Sequence, residues 1–144
     1  MTKVVSCRPE LFGSHWLRLT QSVLHGPSEW STGEREVLGA FVSRLNSCPF
    51  CAGFHEAAAV NLLGSAVTAR NLERGLEAGA DPRLAATMDL LEKVTLQADE
   101  VDSGDIAAVR AAGVSDAAIR DALYVCFVFN AVNRIVNALD GSQS

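Results

Sequence analysis

No stretch of this chain concentrates positive charge, and its net charge is −5, from 12 basic and 17 acidic residues. A nucleic-acid surface has no electrostatic footing in such a sequence. The N-terminal Met-Thr-Lys-Val-Val-Ser-Cys-Arg-Pro-Glu lacks the apolar centre of a secretory signal. No run approaches the roughly 18 apolar residues of a membrane span, so no membrane partner is expected. Alternation of apolar and polar residues is missing as well, which argues against strands. Internal repeats, low-complexity tracts and long linkers are absent. Cysteine is scarce, at four residues. Without an export signal the expected compartment is the cytoplasm, where thiols stay reduced. A close cysteine pair there is more readily catalytic, redox-active or metal-binding than a structural disulfide.

What remains reads as one all-α domain spanning residues 1–144, a length that suits a single globule. A chain of this size buries roughly 68–70% of its unfolded surface, enough for a core without disulfide staples. Hydrophobic residues make up 49% and charged residues 20%, as in ordinary soluble domains. A first helix is predicted from near Pro9 to about Leu24, with Leu11, Trp16, Leu19 and Val23 on its apolar side. Ser31-Thr32-Gly33-Glu34 fits a capping box opening a second, which carries Val37, Leu38, Phe41, Val42 and Leu45. A third begins around Ser47 to Pro49 and ends at Gly64. Helices follow from about Ala66 to Glu77, from Asp81-Pro82 through Val94, and from Ser103 to the stop at Gly113. Ser115 caps the last, Asp116 to about Leu139. Its run Leu123–Phe129 is apolar over more of its circumference than a surface helix needs, so it is central or at a subunit interface.

The chemistry is concentrated in Cys48-Pro49-Phe50-Cys51-Ala52-Gly53-Phe54-His55. On a helix the spacing i, i+3, i+7 sets Cys48, Cys51 and His55 on one face. Two thiols that can meet, with a base beside one of them, suit dithiol redox chemistry or a metal grip. An ordinary thiol has a pKa near ~8.5, so little is thiolate at neutral pH. The first turns of a helix offer free N–H groups and the positive end of the macrodipole, which favour thiolate. His55 lies one turn beyond Cys51 and activates it most directly, making Cys51 the nucleophile and Cys48 the resolving thiol. Glu34 and Glu36 point about 200° apart on a helix, so only one faces the site. Glu34 is committed to the cap; Glu36 is the carboxylate that takes a proton from Cys48, directly or through water.

The same residues allow a zinc half-site with His55 as third ligand. The candidates for a fourth (Cys7, His15, His25, Cys126) have no ligand-like spacing. A thioredoxin module is disfavoured because its βαβ context is missing. Cys126 reads as core, and Cys7 as a free thiol near the terminus. Phe12, Trp16 and Trp30 read as packing, and His15 and His25 show no partner pattern. Asn130, Asn133 and Arg134, polar on a very apolar helix, need partners and read as bridges between helices or subunits.

Glu36, eleven residues, then Cys48-x-x-Cys51-x-x-x-His55 resembles the signature of AhpD-like alkylhydroperoxidases of the carboxymuconolactone decarboxylase superfamily. Downstream, Asp105–Asp116 and Phe129-Asn130-Ala131-Val132-Asn133-Arg134 are similar to the peroxidase-related branch, so the likeness spans about residues 30–140. The resemblance implies an all-α helical bundle, homo-oligomers (dimer, trimer or hexamer) and hydroperoxide reduction without a cofactor. It implies a peroxidatic Cys51, a resolving Cys48, an activating His55, and Glu36 starting the proton relay. An external dithiol, on a lipoyl-bearing or thioredoxin-like protein, would close the cycle. Relatives often carry histidine where this chain has Phe50 and Phe54, which implies a drier pocket. Two rivals stand beside this reading: a thiol-disulfide oxidoreductase or redox sensor without peroxide turnover, and a non-enzymatic metal-binding or scaffold protein.

Overall fold

Helix accounts for 82% of the described residues and strand for none, so the all-α expectation holds. The structure, a computed structural model, describes residues 8–73 and 79–140, the last by its backbone alone. The elements are α1 Pro9–Phe12, α2 Ser14–His25, α3 Thr32–Leu45, α4 Pro49–Leu63, α5 Ser65–Leu72 and α6 Pro82–Leu96. A 3-10 turn at Ala98–Glu100 leads to α7 Ser103–Ala111 and the long α8 Asp116–Asp140.

Local signals account for most of these bounds. The capping box of α3 closes in both directions, Glu34 N–H onto Ser31 Oγ at 3.2 Å and Ser31 N–H onto Glu34 Oε2 at 2.7 Å. Asp81 caps α6 through the Arg83 N–H ahead of Pro82. Ser115 Oγ accepts from the Ala118 N–H at the start of α8. Gly64 and Gly113 take φ of 86°, the left-handed region in which a helix commonly ends. Asp102 and Asp105 form a second capping box at α7, which the sequence reading placed only by its serine.

Two expectations need correction. The first predicted helix is two, because Gly13 adopts φ −71° and ψ −120° and turns the chain between Phe12 and Ser14. Of its apolar side, Trp16 and Val23 pack against the core beside the buried Leu24, while Leu11 and Leu19 are exposed. The helix predicted from Ala66 ends at Leu72; its remainder at 74–78, like Cys7, falls outside the described residues.

The hub is α3. Arg35 through Ser43 are all buried, so this helix is covered around its whole circumference. It packs against α4, α8 and α6, and α2 lies across α3 and α8. By length and composition α8 would reach across a membrane. Its Val125, Cys126, Val128, Phe129 and Val132 are instead buried in the common core with Val37, Phe41, Met88 and Leu91. Tyr124 and Phe127 of the same helix are exposed, so its apolar run serves both inside and outside.

Candidate active site

The turn leaving α3 delivers the first thiol. Asn46 is its C-cap, Ser47 takes φ 53°, and Ser47 N–H bonds Arg44 O while Cys48 N–H bonds Ser43 O at 2.9 Å. These two bonds are those of a Schellman motif, with serine in the left-handed position glycine usually holds. Cys48 thereby becomes the N-cap of α4 and Pro49 its first helical residue. Cys51 then sits in the first turn. The two sulfurs stand 2.7 Å apart, both free thiols, with Cys48 1% and Cys51 4% exposed.

The acid–base pair comes from the facing helices α3 and α4. Glu36 is buried, and its Oε2 lies 2.6 Å from His55 Nδ1. With the carboxylate as acceptor, Nδ1 carries the proton and Nε2 is the nitrogen left to act as a base. The His55 ring is held edge-on against Phe129, at 4.5 Å between centroids, and against Phe54 at 5.1 Å. Glu36 faces inward while Glu34 caps, as their angular separation requires. All four candidate residues are thus buried around the α3–α4 contact, in two contact pairs: Cys48 with Cys51, and Glu36 with His55. Among the described residues no hydrogen bond joins the pairs; the link is the single helical turn from Cys51 to His55.

Sequence reasoning gave Asn133 a structural part only. Its side chain is fully buried, donates to Ser43 Oγ at 3.1 Å, and accepts from Asn46 Nδ2 at 3.2 Å. Asn130 also accepts from Asn46, and Asn137 Nδ2 donates to Asn46 O at 2.8 Å. Asn130, Asn133 and Asn137 recur at i, i+3 and i+7, one face of α8 that grips the turn before Cys48. That spacing was the available signal. Asn130 Nδ2 also donates to Thr95 and to Cys126, a core thiol whose burial pushes its pKa up.

Burial reverses the expected bias of the thiols. The helix N-terminus favours thiolate, yet Cys51 is pushed up to about 12, first by desolvation and then by its hydrogen bond and charge interaction with Cys48. Asn133 acts in the opposite direction. Such a dithiol keeps its second proton unless a base removes it, and His55 is the imidazole one turn away.

His25, to which the sequence gave no partner, brings its Nε2 to 3.9 Å from Glu36 Oε1. A cavity of about 170 Å³ opens there, lined by Trp16, Thr20, His25, Glu36, Phe54 and His55 among others. Phe50 and Phe54 are exposed on α4. No group of three His, Cys, Asp or Glu side chains is arranged to hold a metal ion among the described residues.

No family model and no curated protein matches the sequence. Solved structures do. A peroxidase-related protein from Silicibacter sp. TM1040 shares 28% identity over 86% of this chain at a TM-score of 0.78. A peroxidase-related protein from Ralstonia eutropha JMP134, described as an alkylhydroperoxidase AhpD core, shares 25% over 94% at a TM-score of 0.82. The chain spans 65% and 71% of the length of those two proteins. In fold, this chain belongs with the AhpD-like, peroxidase-related proteins.

Proposed function

We propose that the protein is a thiol-dependent alkylhydroperoxidase that reduces organic hydroperoxides through a Cys48–Cys51 dithiol/disulfide cycle. The observation that carries this is the 2.7 Å approach of two buried free thiols on the helix that also bears His55, itself paired with Glu36. The likeness to peroxidase-related proteins supports it.

His55 takes the Cys51 proton, and the thiolate attacks one peroxide oxygen. The O–O bond breaks, sulfur keeps that oxygen as sulfenic acid, and the departing alkoxide takes a proton to become the alcohol. Cys48 then attacks the Cys51 sulfur, expels water and forms the disulfide. An external dithiol returns both thiols. With the sulfurs almost wholly buried, a slender lipoyl-type arm reaches them more readily than the face of a thioredoxin-like protein. The apolar lining of the cavity, Trp16, Phe54 and Phe129 among it, suits an organic hydroperoxide better than hydrogen peroxide. The place of action is the cytoplasm, and the working form is a homo-oligomer.

The test is hydroperoxide consumption with a small dithiol. Wild type should turn over, Cys51→Ser should not, and Glu36→Gln should be slower by ten- to a hundredfold. Full activity in Cys51→Ser would sink the assignment. A reversible Cys48–Cys51 disulfide without peroxide turnover would move the protein to thiol-disulfide exchange.

A further inference from the structure

Cys48, Cys51, Glu36 and His55 are all buried, with a cavity of about 170 Å³ at the Glu36–His55 end. Yet the cycle described above releases a proton when the thiolate forms and takes one up when the alkoxide departs. In the reductive half the external dithiol gives up two protons as its own disulfide forms, and the two returning thiolates take two up. A buried acid–base pair can recycle a proton internally, but the reductive half of the cycle is matched to solvent only if the pair has an outlet.

We infer that His25, on α2, is that outlet: the residue through which the His55–Glu36 pair exchanges protons with solvent. The inference rests on the peroxidase reading for the identity of the reaction, and on geometry for the path. Glu36 is bracketed by two imidazoles, one on each carboxylate oxygen. Oε2 holds His55 Nδ1 at 2.6 Å, and Oε1 faces His25 Nε2 at 3.9 Å. The two rings differ in access, the His55 side chain being 11% exposed and that of His25 41%. One carboxylate therefore connects a buried imidazole to an open one. The 3.9 Å gap exceeds a hydrogen bond, and it faces a cavity of about 170 Å³, room enough for a bridging water. Thr20 Oγ1, buried and without a hydrogen-bond partner, lines the same cavity and offers that water a further contact.

The proton path is short. A proton that His55 takes from Cys51 is shared with the Glu36 carboxylate, passes through a bridging water to His25 Nε2, and leaves from the exposed ring to bulk water. The reverse path protonates the alkoxide and, in the reductive half, the returning thiolates. Among the described residues lining the cavity, the titratable ones are Glu36, His55 and His25. Among the described lining residues, α3 brings Glu36, α4 brings His55, and α8 brings only apolar Val128, Phe129 and Val132. Arg35 lies next to Glu36 and interacts with its charge, but its guanidinium is turned to Val23 O at 2.9 Å. His15 and Arg18 on α2 are engaged with each other.

The experiment compares wild type, His25→Gln and, as a control on the same helix, His15→Gln. In hydroperoxide turnover from pH 6 to 9, His25→Gln should lower kcat about tenfold or more with KM little changed. Added imidazole should restore much of the loss, and His15→Gln should behave as wild type. His25→Gln placed on Glu36→Gln should cost nothing further, since both lie on one path. Turnover within twofold of wild type at every pH would overturn the inference, as would a loss that imidazole does not restore or that adds fully to Glu36→Gln. Reduction of the Cys48–Cys51 disulfide by dithiothreitol needs the same protons and no peroxide. If wild type consumes no peroxide, the peroxidase reading fails alone, and slowed reduction in His25→Gln still decides for the outlet, unchanged reduction against it.

Discussion

Asn133 shows how one side chain can serve stability and chemistry together. It is fully buried, it ties Ser43 on α3 to the Asn46 turn, and it favours the Cys51 thiolate. Asn133→Ala leaves Ser43 Oγ and Asn46 Nδ2 short of partners, so unfolding in urea should show a loss of about 1–3 kcal/mol. It also removes the group that favours thiolate, so the alkylation rate of Cys51 should rise at a higher pH than in wild type. An unchanged alkylation profile would leave Asn133 a purely structural residue. The Cys51 thiol itself makes a second prediction. Its folded pKa is raised from a reference of 9.0 to about 12, so the folded state holds this proton more tightly than the unfolded chain does. That contribution to stability is complete below pH 9 and is lost as pH rises from 9 towards 12. Between pH 9 and 10.5 wild type should lose on the order of 1 kcal/mol more than Cys51→Ala does. Parallel curves for the two would refute the shift. Sequence alone could choose Glu36 over Glu34, because helical angle is a local property. It did not reveal His25 at the site, which meets it only where separate helices cross, and it marked Asn133 as a polar group needing partners without showing which ones.

At the scale of elements, α3 is held close to α8 by a glycine. A Cβ on Gly39 would come within 2.6 Å of the Phe129 ring, which is itself fully buried and has nowhere to retreat. Gly39→Ala should therefore destabilise by about 1–3 kcal/mol despite the better helix propensity of alanine, and lower Tm by several degrees. Phe129 also supports the His55 ring edge-on. The same substitution should then depress peroxide turnover at temperatures where the protein stays folded, and a variant with wild-type Tm and turnover would show that the helices part freely. Boundaries of α3, α4, α6 and α8 were legible because capping groups and prolines sit in the sequence beside the turns they make. The break at Gly13 was not, because a single glycine inside a helical pattern is compatible with continuation. The Leu11-to-Val23 periodicity marks an apolar side of α2 but does not say how far this chain covers it: Trp16 and Val23 meet the core, and Leu11 and Leu19 do not.

For the whole molecule, that uncovered apolar surface is the main unspent feature. Tyr124 and Phe127 on α8, Phe50, Phe54 and Leu62 on α4, and Leu17 and Leu19 on α2 are each 39% exposed or more. Scattered single residues would need no explanation, but Tyr124 and Phe127 lie at i and i+3 on one helix face, beside core positions of the same apolar run. The fold is complete without them, since the inner half of α8 already fills the core. Their outer half suits a second copy of the chain, in line with the homo-oligomer proposed above. Burying Phe127 in such an interface contributes roughly 1.5–3 kcal/mol per copy, so a charge in its place should be felt strongly. Phe127→Glu is expected to reduce the sedimentation mass from an oligomer to the monomer while leaving the helical circular dichroism intact. Phe127 is exposed whereas Cys48, Cys51, His55 and Glu36 are buried, so slow residual turnover in the dissociated variant would mean that assembly supports the site. Turnover equal to wild type would confine the interface to stability, and a wild-type protein that sediments as a monomer would remove α8 as a subunit face.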